Sequence, residues 1–113
     1  MPRPTIPTLP TDNPEEAFQN DTLRPLLKQL DPTLRAVFAH YLTKRKVRPD
    51  QLPKTQRSAK IKELVTRDNR LRGLLFGMVI GHFTAGEVTY YLANEAGVNR
   101  RMTNLLVERL GGG

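Results

Sequence analysis

The sequence predicts an all-α fold: a compact bundle of five to six short helices with a helix-turn-helix-like C-terminal hairpin. Three observations lead there. Apolar residues recur at three-to-four spacing in successive windows, the signature of amphipathic helices. Most windows open on a capping residue, and several add a proline at the first helical position. No stretch of period-two alternation marks a strand. A chain of 113 residues suits one core. The expected organisation is a disordered arm over 1–12, a helical domain over 13–110 and a flexible tail over 111–113.

Residues 1–12 carry Pro at 2, 4, 7 and 10 and show no periodicity. Asn13-Pro14-Glu15-Glu16 is a helix start, with a capping Asn, an early Pro and acids in the first turn. A short helix over about 14–20 should follow. Asp21 can cap another over about 22–30, with Leu23, Leu26, Leu27 and Leu30 as its stripe. Asp31-Pro32 repeats the cap and proline, opening a helix to about Lys46 that Arg48-Pro49-Asp50 ends. A basic helix over about 54–67 has a thin apolar side of Ile61, Leu64 and Val65. Asp68 or Asn69 caps a helix over about 70–83. Thr84 and Glu87 have capping-box spacing for the next. Gly97 should end that helix in a left-handed conformation, and Asn99 should cap the last, to about Leu110.

Composition excludes several classes. There is no Cys, hence no disulfide, thiolate nucleophile or Cys-based zinc site. The proline-rich start offers no apolar segment of a secretion signal. The longest apolar run, Leu74 to Phe83, is about half a membrane span. A cytoplasmic protein with no membrane partner is expected. The two lone histidines, His40 and His82, read as packing or capping residues on amphipathic helices, and no HxxxH or HExxH spacing marks a metal site of three or four ligands. Paired carboxylates, phosphate-cradling glycine loops and a Ser-His-Asp set are missing, so neither enzyme activity nor a cofactor is expected.

The net charge is +7, which favours anionic partners. Residues 1–20 are net −2, with Arg3 against Asp12, Glu15 and Glu16. Residues 21–50 are net +4, residues 51–80 net +5, and residues 81–113 net 0. From 44 to 72 the cations include Lys44, Arg45, Lys46, Arg48, Lys54 and Arg57, facing only Asp50, Glu63 and Asp68. Clustered Lys and Arg are what a phosphate backbone requires, although a solvated helix face gives the same pattern. No aromatic residue lies between 44 and 72, so base stacking has no support there.

The segment LANEAGVNRRMTNLLVERL supplies a helix-turn-helix pattern: small Ala93, turning Gly97, apolar Val98, with Leu92 and Leu106 as core positions. Asn99 would cap the second helix, leaving Arg100, Arg101 and Asn104 outward to read bases or hold phosphates. The apolar face of Val98, Met102, Leu105 and Leu106 is rotated from that pattern, and an ordinary helical hairpin is the competing reading. Gly73, Gly77 and Gly81 repeat every four residues, predicting a central helix packed closely on a neighbour or the seam of a homodimer.

NPEEAFQNDTLRPLLKQL, FGMVIGHFTAGE and NRRMTNLLVERL together resemble a group of short all-helical bacterial proteins over about residues 13–110. The likeness runs through Asn99, Arg100, Arg101 and Met102 more than through Gly97-Val98. Some of that group carry the label glyoxalase. Folds of that kind use paired βαβββ modules with His and Glu ligands, which a short helical chain with two His does not supply. The resemblance implies no catalytic residue. The expected function is a non-enzymatic binding protein engaging nucleic acid or a ribonucleoprotein through the basic surface and the last helix. The alternative is an interaction adaptor docking an acidic protein partner, or a homodimeric helical module.

Overall fold

A computed structural model describes residues 3, 4 and 11–111, and every regular element among them is helical. α1 (Pro14–Phe18) runs through a π-helical turn (Gln19–Leu23) into α2 (Arg24–Lys44). A 3-10 turn (Pro49–Gln51) precedes α3 (Lys54–Arg67), followed by α4 (Asn69–Ile80), α5 (Ala85–Ala93) and α6 (Glu95–Gly111). The expected arm falls largely on residues 1, 2 and 5–10, and the expected tail on 112 and 113, which lie outside the described residues. None of the described helices is long and apolar enough to cross a membrane.

Residues 14–44 form one uninterrupted helical run, where the sequence predicts three separate helices. Asp21 caps nothing, and Asp31-Pro32 does not start a helix; Pro32 lies inside α2. Two physical reasons account for this. The π turn, in which the Arg24 N–H reaches the Gln19 carbonyl, widens the helix just before Pro25, a common way to absorb a residue without a donor. A proline inside a helix costs about 3 kcal/mol. Leu23, Leu26, Leu27 and Leu34 form one stripe spanning both prolines and are all at most 1% exposed. Burying each contributes about 1.5–3 kcal/mol, enough to outweigh both prolines. Asp31 turns outward, pairing with Arg35 one turn on at 2.9 Å and with Arg109 of α6 at 3.2 Å. Arg35 also donates to the Arg109 carbonyl at 2.8 Å, satisfying a free acceptor in the last turn of α6. Partial burial pushes the Asp31 carboxyl up, but hydrogen bonds from Arg35 and Arg109 hold it below its ordinary value.

α6 is the central helix. Val98, Met102, Leu105, Leu106 and Leu110 are buried, as is Thr103. The helix packs most extensively on α3, whose Ile61 and Val65 are 3% and 0% exposed. The sequence reading put α4 at the centre, with its glycines against a neighbour. α4 instead buries Leu71, Leu75, Phe76 and Val79 and turns the glycines outward. A Cβ added at Gly73 or Gly77 would meet nothing within 4 Å, and Leu74 between them is 42% exposed.

Three expected caps are present. The Asn13 side chain accepts from the Glu16 N–H at 3.1 Å, Asp68 from the Leu71 N–H at 3.1 Å, and Thr84 with Glu87 forms a complete capping box. Glu87 does more than cap. Its carboxylate accepts a bidentate pair from Arg3 at 2.6 and 2.7 Å and the Thr22 hydroxyl at 2.9 Å. Arg3 also reaches the His82 carbonyl at 2.6 Å. The hydrogen bonds from Arg3, then the Thr84 N–H and the Thr22 hydroxyl, outweigh partial burial and hold Glu87 at a pKa of about 2. Beside this hub Phe18 stacks on Tyr90 at 4.8 Å and meets Phe83 edge-on at 5.5 Å, fixing α1 against α5.

Candidate nucleic-acid interface

The basic region is shaped by the way α2 ends. The Lys46 N–H bonds the Thr43 carbonyl at 3.1 Å and the Val47 N–H bonds the Leu42 carbonyl at 2.9 Å. This pair of bonds is a Schellman cap, in which the residue at the position of Lys46 is left-handed and usually glycine. Lys46 has φ of 58° and is the only described non-glycine residue with positive φ. The chain doubles back through the 3-10 turn, closed by the Gln51 N–H to the Arg48 carbonyl at 3.1 Å, and enters α3 after Pro53. The result is an open concavity of about 620 Å³ lined by Lys46, Val47, Arg48, Gln51, Leu52 and Lys60. A neighbouring hollow shares Leu52 and Lys60 and adds Thr55, Gln56, Ala59 and Glu63.

The cations of 44–72 divide into separate settings. Arg45 pairs with Asp68 at 2.8 Å. That contact, followed by the Leu71 N–H, holds the Asp68 carboxyl below its ordinary value, so Asp68 both caps α4 and fixes the end of α2. Lys44 lies over the Tyr41 ring at 5.6 Å, and Arg72 over Phe76 at 4.5 Å. Arg57 donates to the Leu52 carbonyl at 3.5 Å and lines a different groove of about 360 Å³ with Arg35, Asp50 and the apolar Phe38, Leu42, Ile61 and Leu110. Lys54 is exposed at the start of α3. Lys60 has a loose 3.8 Å contact with Glu63. Among the described residues no carboxylate pairs with Lys46, Arg48, Lys54, Lys62, Arg67 or Arg70. Lys60 and Gln51 were not among the site residues expected from sequence. Their membership depends on the reversal at Lys46, which no local spacing reveals.

The last helix is arranged differently from the sequence expectation. α5 and α6 meet at one residue, Asn94, whose side-chain amide donates to the Tyr90 carbonyl at 3.0 Å and whose carbonyl accepts the Val98 N–H at 3.0 Å. Gly97 is neither left-handed nor a terminator; it sits in the first turn of α6, where an added Cβ would run into the Glu15 carboxylate. Asn99 is not a cap, because Asn94 has already opened the helix; its side chain accepts the Tyr91 hydroxyl at 2.7 Å. Leu92 is 64% exposed and Ala93 is exposed too, so the first-helix positions of a helix-turn-helix do not pack on the second helix.

Arg101 is half-buried and donates to Gln19 Oε1 at 3.1 Å. The open stripe of α6 is Ala96, Arg100, Asn104 and Glu108. Arg100 and Asn104 thus stand free while Asn99 and Arg101 are engaged internally. Arg100 lies about 15 Å up the helix axis from Leu110, the residue that shares a groove with Asp50 and Arg57.

Among the described residues no group of three or more His, Cys, Asp or Glu is gathered to hold a metal ion. No family model matches the chain, and no match was found among curated proteins or solved structures.

Proposed function

We propose that this protein binds nucleic acid, alone or within a ribonucleoprotein, through the basic face built by the α2–α3 linker and α3. One observation supports this above the others. The positive excess of the chain falls in residues 21–80, and Lys46, Arg48 and Lys54, in and beside the linker, have no carboxylate partner among the described residues. Clustered, unneutralised Lys and Arg gain affinity for a phosphate backbone by releasing its condensed counterions. From the last helix, Arg100 and Asn104 are the side chains free to add a contact. Glu95 and Glu108, also exposed on α6, make that helix a poor phosphate-binding face. No catalytic residue enters this reading. The test is a fluorescence-anisotropy titration with a random DNA duplex and a structured RNA at several salt concentrations. Binding that weakens as salt rises is expected, with a small further loss in Arg100→Ala/Arg101→Ala. No binding to either at low salt would overturn the proposal.

A second reading, a homodimer seam at Gly73, Gly77 and Gly81, is favoured by the open face of α4 and the exposed Leu74 between two of those glycines. Light scattering tests it: a monomer at high concentration excludes it. An acidic protein partner on the basic face would compete with a duplex for the same cations, and it is the reading that remains if neither DNA nor RNA binds at low salt.

A further inference from the structure

We infer that the concavity between the α2–α3 linker and α3 is the phosphate-binding site, and that it takes the backbone of double-stranded nucleic acid; this rests on the nucleic-acid reading above. Three cations converge there from two segments: Lys46 and Arg48 from the linker, Lys60 from the second turn of α3. Gln51 adds a neutral amide donor, and no carboxylate is among the lining residues. Phosphodiester oxygens are acceptors only, so a hollow presenting ammonium, guanidinium and amide groups matches them. The contact from Lys60 to Glu63 is 3.8 Å, and that Glu63 side chain is 53% exposed, so a phosphate can displace it at little cost.

Lys46 supplies an independent observation. It occupies the one position of the Schellman cap where glycine would be adopted without strain. Strained backbone retained in a folded protein is a pointer to function. Here the strain is borne by a side chain that lines the concavity. The choice of duplex over single strand follows from what the hollow lacks. Val47 and Leu52 are its only apolar lining residues, and it contains no aromatic ring on which an unpaired base could stack. Contacts confined to phosphates carry no sequence information, so binding here is independent of sequence.

The experiment is a salt series of anisotropy titrations on a random 20-base-pair duplex. It compares the wild type with Lys46→Gln/Arg48→Gln/Lys60→Gln and with a control of equal charge loss, Lys62→Gln/Arg67→Gln/Arg70→Gln. Each lost phosphate contact flattens the log–log salt slope by about 0.9, so the concavity variant should lose about 2.7. Between 50 and 200 mM salt the wild-type affinity should then fall about 40-fold more than that of the variant. The control should change the slope by less than one contact. A slope unchanged in the concavity variant, or lowered equally in the control, overturns the site while leaving nucleic-acid binding standing. A wild type that does not bind at low salt overturns both. Equal affinity for a single-stranded 20-mer overturns the assignment to duplex. Should the triple variant melt early, Lys46→Gly separates folding from binding: it should melt higher than the wild type and bind the duplex more weakly. Undiminished binding in Lys46→Gly counts against the site.

Discussion

Removing the Arg3 guanidinium, as Arg3→Ala, should destabilise the protein at neutral pH and matter progressively less in acid. The magnitude follows from the Glu87 hub. Glu87 is held at a pKa of about 2 against an ordinary 4.5, chiefly by its bidentate pair with Arg3. At about 1.36 kcal/mol per pH unit, that difference corresponds to about 3 kcal/mol of preference for the ionised form in the folded state. Arg3 is one of three donors to the carboxylate, its side chain is 25% exposed, and fixing the chain around it costs conformational entropy. The net loss in Arg3→Ala should be about 1–2 kcal/mol. The sign is set by the lowered carboxyl: the stabilisation is complete above about pH 4.5 and disappears as pH falls towards 2, when Glu87 protonates in the folded state too. Urea denaturation followed by far-ultraviolet circular dichroism, on wild type and variant at pH 7, 4 and 2.5, checks this. Identical stabilities at pH 7, or a difference that stays constant down to pH 2.5, would refute the reasoning.

Three other outcomes follow. Tyr91→Phe leaves the half-buried Asn99 carbonyl without its donor and should cost about 1 kcal/mol in urea denaturation, with little change in far-ultraviolet signal. Gly77→Ala adds a methyl group to open space on α4 and should stabilise the monomer by about 0.8–1 kcal/mol; a fall in melting temperature would mean that something covers this face. Lys46→Gly should raise stability by about 1 kcal/mol by relieving the left-handed lysine, as read by thermal melting.

The parts of the fold that were legible from sequence depend on interactions within one turn. Asn13, Asp68 and the Thr84–Glu87 box cap the helices they were expected to cap, because a cap needs only a side-chain acceptor and an N–H three residues on. The misreadings arose where distant contacts outweighed local preference. Asp31-Pro32 has the sequence of a helix start. Burying the leucine stripe on both sides of it favours continuity, and Asp31 is used by Arg109 from the far end of the chain. Gly97 resembles a terminator, yet Asn94 ends α5 three residues earlier and Gly97 serves the approach of Glu15 instead. For the candidate site, the charge excess of 44–72 was readable from residue counts alone. Which cations act together was not. The reversal at Lys46 brings Arg48 and Gln51 beside Lys60, while Asp68 removes Arg45 and a separate groove takes Arg57.

The most direct measurement is a map of backbone amide shifts, by nitrogen–proton correlation spectra of the labelled protein titrated with a random duplex at low salt. The account predicts shifts concentrated in residues 46–52 and around Lys60, with smaller changes at Arg100 and Asn104 and none in the interior of α6 at Met102 and Leu106. An unchanged spectrum at saturating duplex, or shifts confined to α6 with the linker untouched, would contradict it.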